Sequence, residues 1–360
     1  MTAPSLHLPK FTVGKSDFDQ VLKQKSMAYF TENNISEKGN WKLFFKTIFW
    51  VSLLVGTYYV LIIHPPESVL GLIALGFVTG VTFAGIGVNI VHDAAHGGYS
   101  DSRTLNIILG YLFNFVGADI LFWKIKHNIV HHTYVNINEV DDDIDAEPFL
   151  RLSPVQKRLW FHKYQSKYAL LLYCFLYLMW VYVKDFQKYF TLKIGRHNIP
   201  KFTIVDHIIF WISKAIYTTL YIVIPLYTLG WKGFLFYGVT VAVCGVCISV
   251  VFQLAHIVQN VEFPMVNIDT GNVDSNFALH QIATTSDFAP ENKLVSWLVG
   301  GLNFQVVHHL FPKVSHVHYP ALHTILKETC KEFGVTYHYY DTLKEATASH
   351  FAHLKDLGKE

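Results

Sequence analysis

Residues 69–96 read VLGLIALGFVTGVTFAGIGVNIVHDAAH. Their first 23, residues 69–91, contain no Asp, Glu, Lys or Arg, and about 20 apolar residues are what a helix needs to cross a bilayer. The run ends on His92 and His96, a spacing that a helix places on one face. Gly97-Gly98 then stops the helix. An uncharged span that carries a histidine pair at its end is the pattern from which the rest of the chain can be read.

The composition extends that reading. Hydrophobic residues make up 51% of the 360 and charged residues 16%, where soluble domains carry roughly 25% charged residues. This excludes a disordered chain, a basic nucleic-acid-binding protein and a disulfide scaffold, and it indicates a lipid bilayer as the partner. Cys244 and Cys247 form a C-x-x-C inside an apolar run, where a core role is expected. The first 40 residues are polar, and no secretory signal is expected there.

Four stretches have the length and character of spans: 43–63, 69–91, 204–229 and 233–255. The short links 64–68 and 230–232 join them into two hairpins. Two other apolar stretches are expected to lie in the interface or against the membrane domain. Residues 105–123 are interrupted by Asn106, Asn114 and Asp119, and 168–183 is only 16 residues long. Tyr173, Trp180 and Tyr182 within the latter are expected as interface anchors. Six Lys fall in 1–42, 13 Lys+Arg in 97–203 and seven in 256–360, whereas the two links hold Lys232 alone. The positive-inside rule therefore puts the termini and the middle segment in the cytoplasm. The expected fold is all-α and integral to the membrane. It has four transmembrane helices in two hairpins, and a cytoplasmic helical cap formed by 1–42, 92–203 and 256–360.

The 20 histidines are more than membrane folding needs. After His92 and His96 comes His127-Asn128-Ile129-Val130-His131-His132, whose three imidazoles are expected to share one helix face. Gln305-Val306-Val307-His308-His309 forms a third cluster in the tail, and His256 ends the fourth span. One shared site requires all of these on one side, and hence that 168–183 does not cross. Eight histidines and a glutamine exceed the four ligands of a structural zinc ion and suit two metal ions. Neutral imidazoles favour iron, zinc, copper or nickel, and the lack of cysteine within these clusters argues against iron–sulfur and copper–thiolate sites. Asp93 is the best candidate to orient an imidazole. The acidic run Glu139, Asp141, Asp142, Asp143 and Asp145 could orient imidazoles too, although most of it reads as a solvated loop.

His92-Asp93-Ala94-Ala95-His96-Gly97, the 127–132 cluster and Gln305-Val306-Val307-His308-His309-Leu310-Phe311-Pro312, set after paired spans, resemble the membrane fatty acid desaturase family from about residue 41 to 320. The resemblance implies a four-span, all-helical enzyme with a di-iron centre at the cytosolic face. Its ligands would be His92, His96, His127, His131, His132, His308 and His309, with His256 as the extra ligand after the fourth span. Gln305, ligating directly or through water, stands where many members have His. That exchange resembles the front-end subgroup, which inserts a double bond between an existing one and the carboxyl end.

The implied reaction uses O2 and electrons from an external donor to place a cis double bond in a fatty acyl chain, carried on CoA, a carrier protein or a glycerolipid. Many front-end relatives carry a fused cytochrome b5 domain with an H-P-G-G motif, and this chain has only His64-Pro65-Pro66-Glu67. A separate donor such as ferredoxin or cytochrome b5 is therefore expected, in a bacterial inner membrane or an endoplasmic reticulum. An unactivated C–H bond has no acidic proton, so a metal or radical cofactor must break it. Hydroxylation or ketolation on the same scaffold is an alternative. A histidine-rich metal transporter or sensor would need ionisable residues along its spans, and spans two and four have none. A zinc hydrolase would need no O2.

The loop 276–290 resembles the family's segment over the active site. It is a candidate for positioning substrate, and His280 within it is not expected to ligate; His316 and His318, after the third cluster, are expected to be hydrogen-bonded.

Overall fold

A computed structural model describes residues 8–267 and 269–359. The helices are, in chain order, α1 (Asp17–Glu32), α2 (Trp41–Ile63), α3 (Val69–His96), α4 (Arg103–Phe115), α5 (Ile120–Tyr134), α6 (His162–Thr191) and α7 (Ile204–Leu229). They continue with α8 (Trp231–His256), α9 (Phe277–Ala283), α10 (Lys293–Leu298), α11 (Gln305–Leu310), α12 (Tyr319–Phe333) and α13 (Leu343–Leu357). Short ladders pin loops together: Phe11–Val13 runs parallel to Val273–Asn276, and Asp287–Phe288 parallel to Tyr339–Tyr340.

Helices α2, α3, α6, α7 and α8 are each long and apolar enough to cross a membrane. The central contact is α3 against α8, made possible by small residues. A Cβ on Gly80 would lie 2.5 Å from the Thr240 carbonyl oxygen, and one on Gly76 3.0 Å from that of Phe236. The buried Thr240 hydroxyl donates across the seam to the Gly76 oxygen at 3.3 Å. Close backbone approach at glycine is how membrane helices associate without a hydrophobic driving force between them. Gly85 does the same against the Trp50 ring, 2.6 Å from an added Cβ. Gly80→Val therefore pushes α3 off α8 and is expected to destabilise the protein by roughly 1–3 kcal/mol, read as a lower melting midpoint in detergent.

The ends of the bundle are distinct. Lys232 Nζ donates to the Glu67 oxygen at 3.0 Å, so the two hairpin links meet. The opposite ends of α3 and α8 carry His92, His96 and His256.

Helix α6 is longer than the 16-residue run suggests, at 30 residues. It continues through Lys184, Asp185 and Lys188, and two of these charges are paired. Lys214 Nζ of α7 sits 2.7 Å from Asp185 Oδ2 and also donates to the Gly117 and Val181 oxygens. Length therefore does not argue against crossing; the contacts of its two ends bear on it instead. At the start, Gln165 exchanges hydrogen bonds with the Arg151 backbone at 2.9 and 3.0 Å, and His162 meets the Pro148 oxygen. Near the end, Lys188 pairs with Asp142 at 3.6 Å. Both ends of α6 thus rest on the same segment, residues 142–151. Tyr173, expected at the interface, is instead buried, its hydroxyl 2.7 Å from His350 Nε2.

The run 105–123 is a corner, with α4 and α5 meeting at 113°. The interrupting polar residues build it. Asp119 Oδ1 accepts from the Leu121 and Phe122 amides, and Asn114 Oδ1 from Ile120. Gly117 adopts φ +109 with the Tyr217 ring 2.7 Å from where a Cβ would stand, so only glycine fits.

His350 of α13 also sets an expectation for stability at low pH. Burial lowers its pKa to about 4, below the roughly 6.5 of an unfolded chain. Below pH 6.5 the unfolded state binds the proton and the native state does not, so stability falls as pH drops from about 6.5 towards 4. Full displacement is worth about 3 kcal/mol. His350→Gln should weaken the pH dependence of the melting midpoint in that window without removing it, since His280 and His353 are also lowered to about 4.

Candidate metal centre

The site is assembled from four places. The end of α3 supplies His92 and His96, α5 supplies His127, His131 and His132, and the end of α8 supplies His256. The one-and-a-half-turn α11 supplies Gln305, His308 and His309. Two of these helices wind into π turns at the site: Gly87–Val91 just before His92, and Ile125–His131. Such wide turns recur at functional sites, and each one shifts the register of the helix beyond it. The His132 amide donates to the His127 oxygen, which stacks these two residues one wide turn apart, with Nε2 atoms 3.2 Å apart.

The imidazoles converge in two groups. His92, His96, His127 and His308 have ligand atoms all within 4.8 Å of one another, and so do His131, His256 and His309. His132 lies between the groups, its ring centroid 4.7 Å from that of His96, 4.5 Å from His308 and 4.4 Å from His309. The three ring centroids of the second cluster lie within 6.0 Å of one another, as a shared face requires, yet they divide between the two groups. His131 turns to the second group, because it sits four positions and His132 five from His127.

The donor set fits metal ions. Metal–imidazole bonds are about 2.1 Å, which puts neighbouring ligand nitrogens about 3–4 Å apart. His92 Nε2 and His127 Nε2 are 3.2 Å apart. The Nε2 atoms of His96, His131, His256, His308 and His309 are buried without a hydrogen-bond partner. Each would cost about 1–3 kcal/mol if nothing met it, so a bound ion accounts for the arrangement. Burial, and then the neighbouring imidazoles, hold His308 and His309 well below the ordinary histidine range. Both are therefore neutral at pH 7, the form that ligates.

Other side chains set the orientation. His131 Nδ1 meets Asp141 Oδ2 at 3.1 Å and Oδ1 at 3.3 Å, which turns its Nε2 inward. Asp141 is itself held by the Asn136 and Asp143 amides, both at 3.0 Å. His308 Nδ1 meets the buried Tyr319 hydroxyl at 3.1 Å. Asn136 Nδ2 ties the site together by donating to the His256, Glu262 and Thr284 oxygens.

Asp93 contacts a different partner from the one sequence proximity suggests. Its Oδ2 accepts from the Ser315 hydroxyl at 2.7 Å and the His316 amide at 3.1 Å, and lies 3.0 Å from His316 Nδ1. Lys46 Nζ of α2 closes the chain at 3.0 Å from His316 Nε2. Asp93 thereby holds the segment after α11 rather than a ligand ring. Gln305 is buried on α11, three residues before His308. His280 is buried with its ring against Phe11, centroids 5.1 Å apart, outside both groups. Sequence reasoning ranked Asp141 below Asp93 as an orienting residue, and it missed Tyr319. The signal available for Asp141 was a carboxylate ten positions after His131 in an otherwise unexplained acidic run.

Fold and site together define a multi-pass helical membrane protein with a buried polyhistidine centre suited to metal ions. The family model described as fatty acid desaturase matches residues 68–341, and the chain belongs to that family, whose members are oxidoreductases. It is 35% identical to the "sn-1 linoleoyl-lipid 6-desaturase" of Arthrospira platensis, over 97% of this chain and 95% of that one. The protein of the same name from Synechocystis is 34% identical, over 97% and 98%. An "Acyl-lipid (8-3)-desaturase" of Physcomitrium patens is 36% identical over 95% of this chain and 72% of that one.

Proposed function

We propose that this protein is a front-end desaturase acting on acyl chains esterified in a membrane glycerolipid, with two iron ions held by the eight histidines. The observation that carries the reading is the pair of converging imidazole groups, one on each side of His132. Bound iron supplies the oxidising power, from O2 and electrons of a separate donor such as ferredoxin or cytochrome b5, that removes two hydrogens from adjacent methylenes. This chain's own residues position it: His92, His96, His127 and His308 hold one ion, and His131, His256 and His309 the other. His132 lies within reach of both, and Gln305 stands on α11 with His308 and His309. Asp141 and Tyr319 fix the rings, and the buried surroundings exclude bulk water. The relatives' names support a lipid-linked substrate and a bond set close to the carboxyl end.

In this reading α2, α3, α7 and α8 cross the membrane. Helix α6 lies beneath the cap, supported by the shared contacts of its two ends on 142–151. The described residues within 1–42, 92–203 and 256–360 then form one cytoplasmic cap, in keeping with the Lys/Arg distribution.

The test is a fatty-acid profile with double-bond location, in a host that expresses the chain with a competent donor and is fed saturated, monoenoic and dienoic acids. A new bond between the carboxyl group and a pre-existing bond is expected. A bond elsewhere discards the front-end assignment, and a hydroxylated product without a new alkene discards desaturation.

A further inference from the structure

Resting on the glycerolipid reading above, we infer that the cleft between α4, the start of α5 and the start of α7 is a lateral entrance through which the acyl chain of a bilayer-resident glycerolipid reaches the histidine centre. The cleft measures about 210 Å³ and is walled by Ile107, Gly110, Ile120, Leu121 and Ile209. Its floor includes Ala95, the residue before His96. The same turn of α5 that supplies Leu121 also supplies Trp123. That ring stacks on His127, centroids 4.5 Å apart, and faces His92 and His96. One wall of the cleft is therefore also a wall of the centre.

The outward faces beside the opening show what it opens onto. On α4, Ile107, Ile108 and Phe115 are 45%, 60% and 41% exposed, and on α7, Ile204, Val205 and Ile208 are 78%, 61% and 50% exposed. Exposed apolar surface of this extent on both sides belongs in contact with lipid. The helix starts mark the depth. Ser102 caps α4, and a Thr203–Asp206 capping box opens α7, so the mouth lies where apolar faces give way to polar termini. Exposed Lys124 lies at that mouth with Asp206. Its ammonium suits the phosphate or ester oxygens of a lipid headgroup region.

A diacyl lipid pulled from the bilayer loses about 0.8 kcal/mol for every CH2 exposed. An entrance at the side lets one chain bend inward while the other stays in the membrane. A thioester arriving from the aqueous side has no need of such a path.

Gly110 makes the cleft testable. A Cβ there would meet only Ile120, Cγ1 at 3.5 Å, an ordinary contact, so a larger side chain fills the cleft without striking backbone. Gly110→Leu, and Ile209→Trp from the opposite wall, are assayed in nanodiscs of dilinoleoyl phosphatidylcholine, with linoleoyl-CoA in parallel. Each is expected to lower glycerolipid desaturation by about a hundredfold while iron content stays at the wild-type level. Wild-type glycerolipid turnover in both iron-loaded variants overturns the entrance. If either variant fails to load iron, photolabelling of the wild-type protein decides. Phosphatidylcholine with a diazirine on one acyl chain should mark 105–124 and 204–212, and labelling confined elsewhere overturns the inference. A wild-type protein that acts on the CoA ester and never on the glycerolipid sinks the substrate reading instead, so the two failures are separable.

Discussion

His308→Ala and His309→Ala are each expected to abolish desaturation, by emptying different metal positions. His308 belongs to the group with His92, His96 and His127, and His309 to the group with His131 and His256. The two residues are adjacent on α11, so neither substitution disturbs the fold more than the other. Activity should fall by more than about a hundredfold, beyond the range seen for residues that only orient a ligand. Each variant should retain roughly half the wild-type iron, because metal binding depends on the ligands at its own position. Iron content by elemental analysis and desaturation in the same preparation are the measurements. Full activity in either variant would sink the ligand assignment. Complete loss of iron in both would show that the two positions load as one unit. His132→Ala provides the complement: its ring stands within 4.7 Å of both groups, and it should lower occupancy of both.

That split also shows where sequence reading stops. The histidines were legible because no membrane core requires so many imidazoles, and because spans of counted length deliver them to one end. Which histidine joins which partner was not legible. His131 and His132 are neighbours in the chain yet divide between the groups, and the division depends on a π turn over Ile125–His131 that no residue type announces. The hairpins were likewise readable from apolar runs of spanning length joined by short links. The true length of α6 was not, because Lys184 and Asp185 end an apolar pattern while Lys214, a residue of another helix, pairs with Asp185 and lets the helix continue. The corner between α4 and α5 lies between these cases. Asn114 and Asp119 were visible as interruptions, but only the structure shows them capping the second arm.

Asp141→Asn is expected to have the next largest effect, and it separates a ligand's orientation from its presence. The carboxylate accepts from His131 Nδ1, and that bond fixes both the tautomer and the ring angle with Nε2 turned towards His256 and His309. Asparagine keeps the shape and can still accept the Asn136 amide. Its NH2 group, however, offers no acceptor to the His131 N–H and removes the negative charge that strengthens the imidazole as a ligand. Loss of such a partner costs about 10–100-fold in metal affinity or activity. The expected result is weaker iron retention against a chelator, with activity rescued in part by excess iron, and an unchanged melting midpoint for the spans. A ligand deletion would show no such rescue. Asp143→Asn should be milder, since Asp143 lies 3.7 Å from His131 and is shared with Lys126. Asp93→Asn should act elsewhere, loosening the Ser315–His316 segment it holds. If Asp141→Asn retained iron as tightly as the wild type while Asp93→Asn released it, the orienting role would pass to Asp93. His316 and Lys46 would then have to act on the centre through Asp93, rather than merely brace the segment after α11.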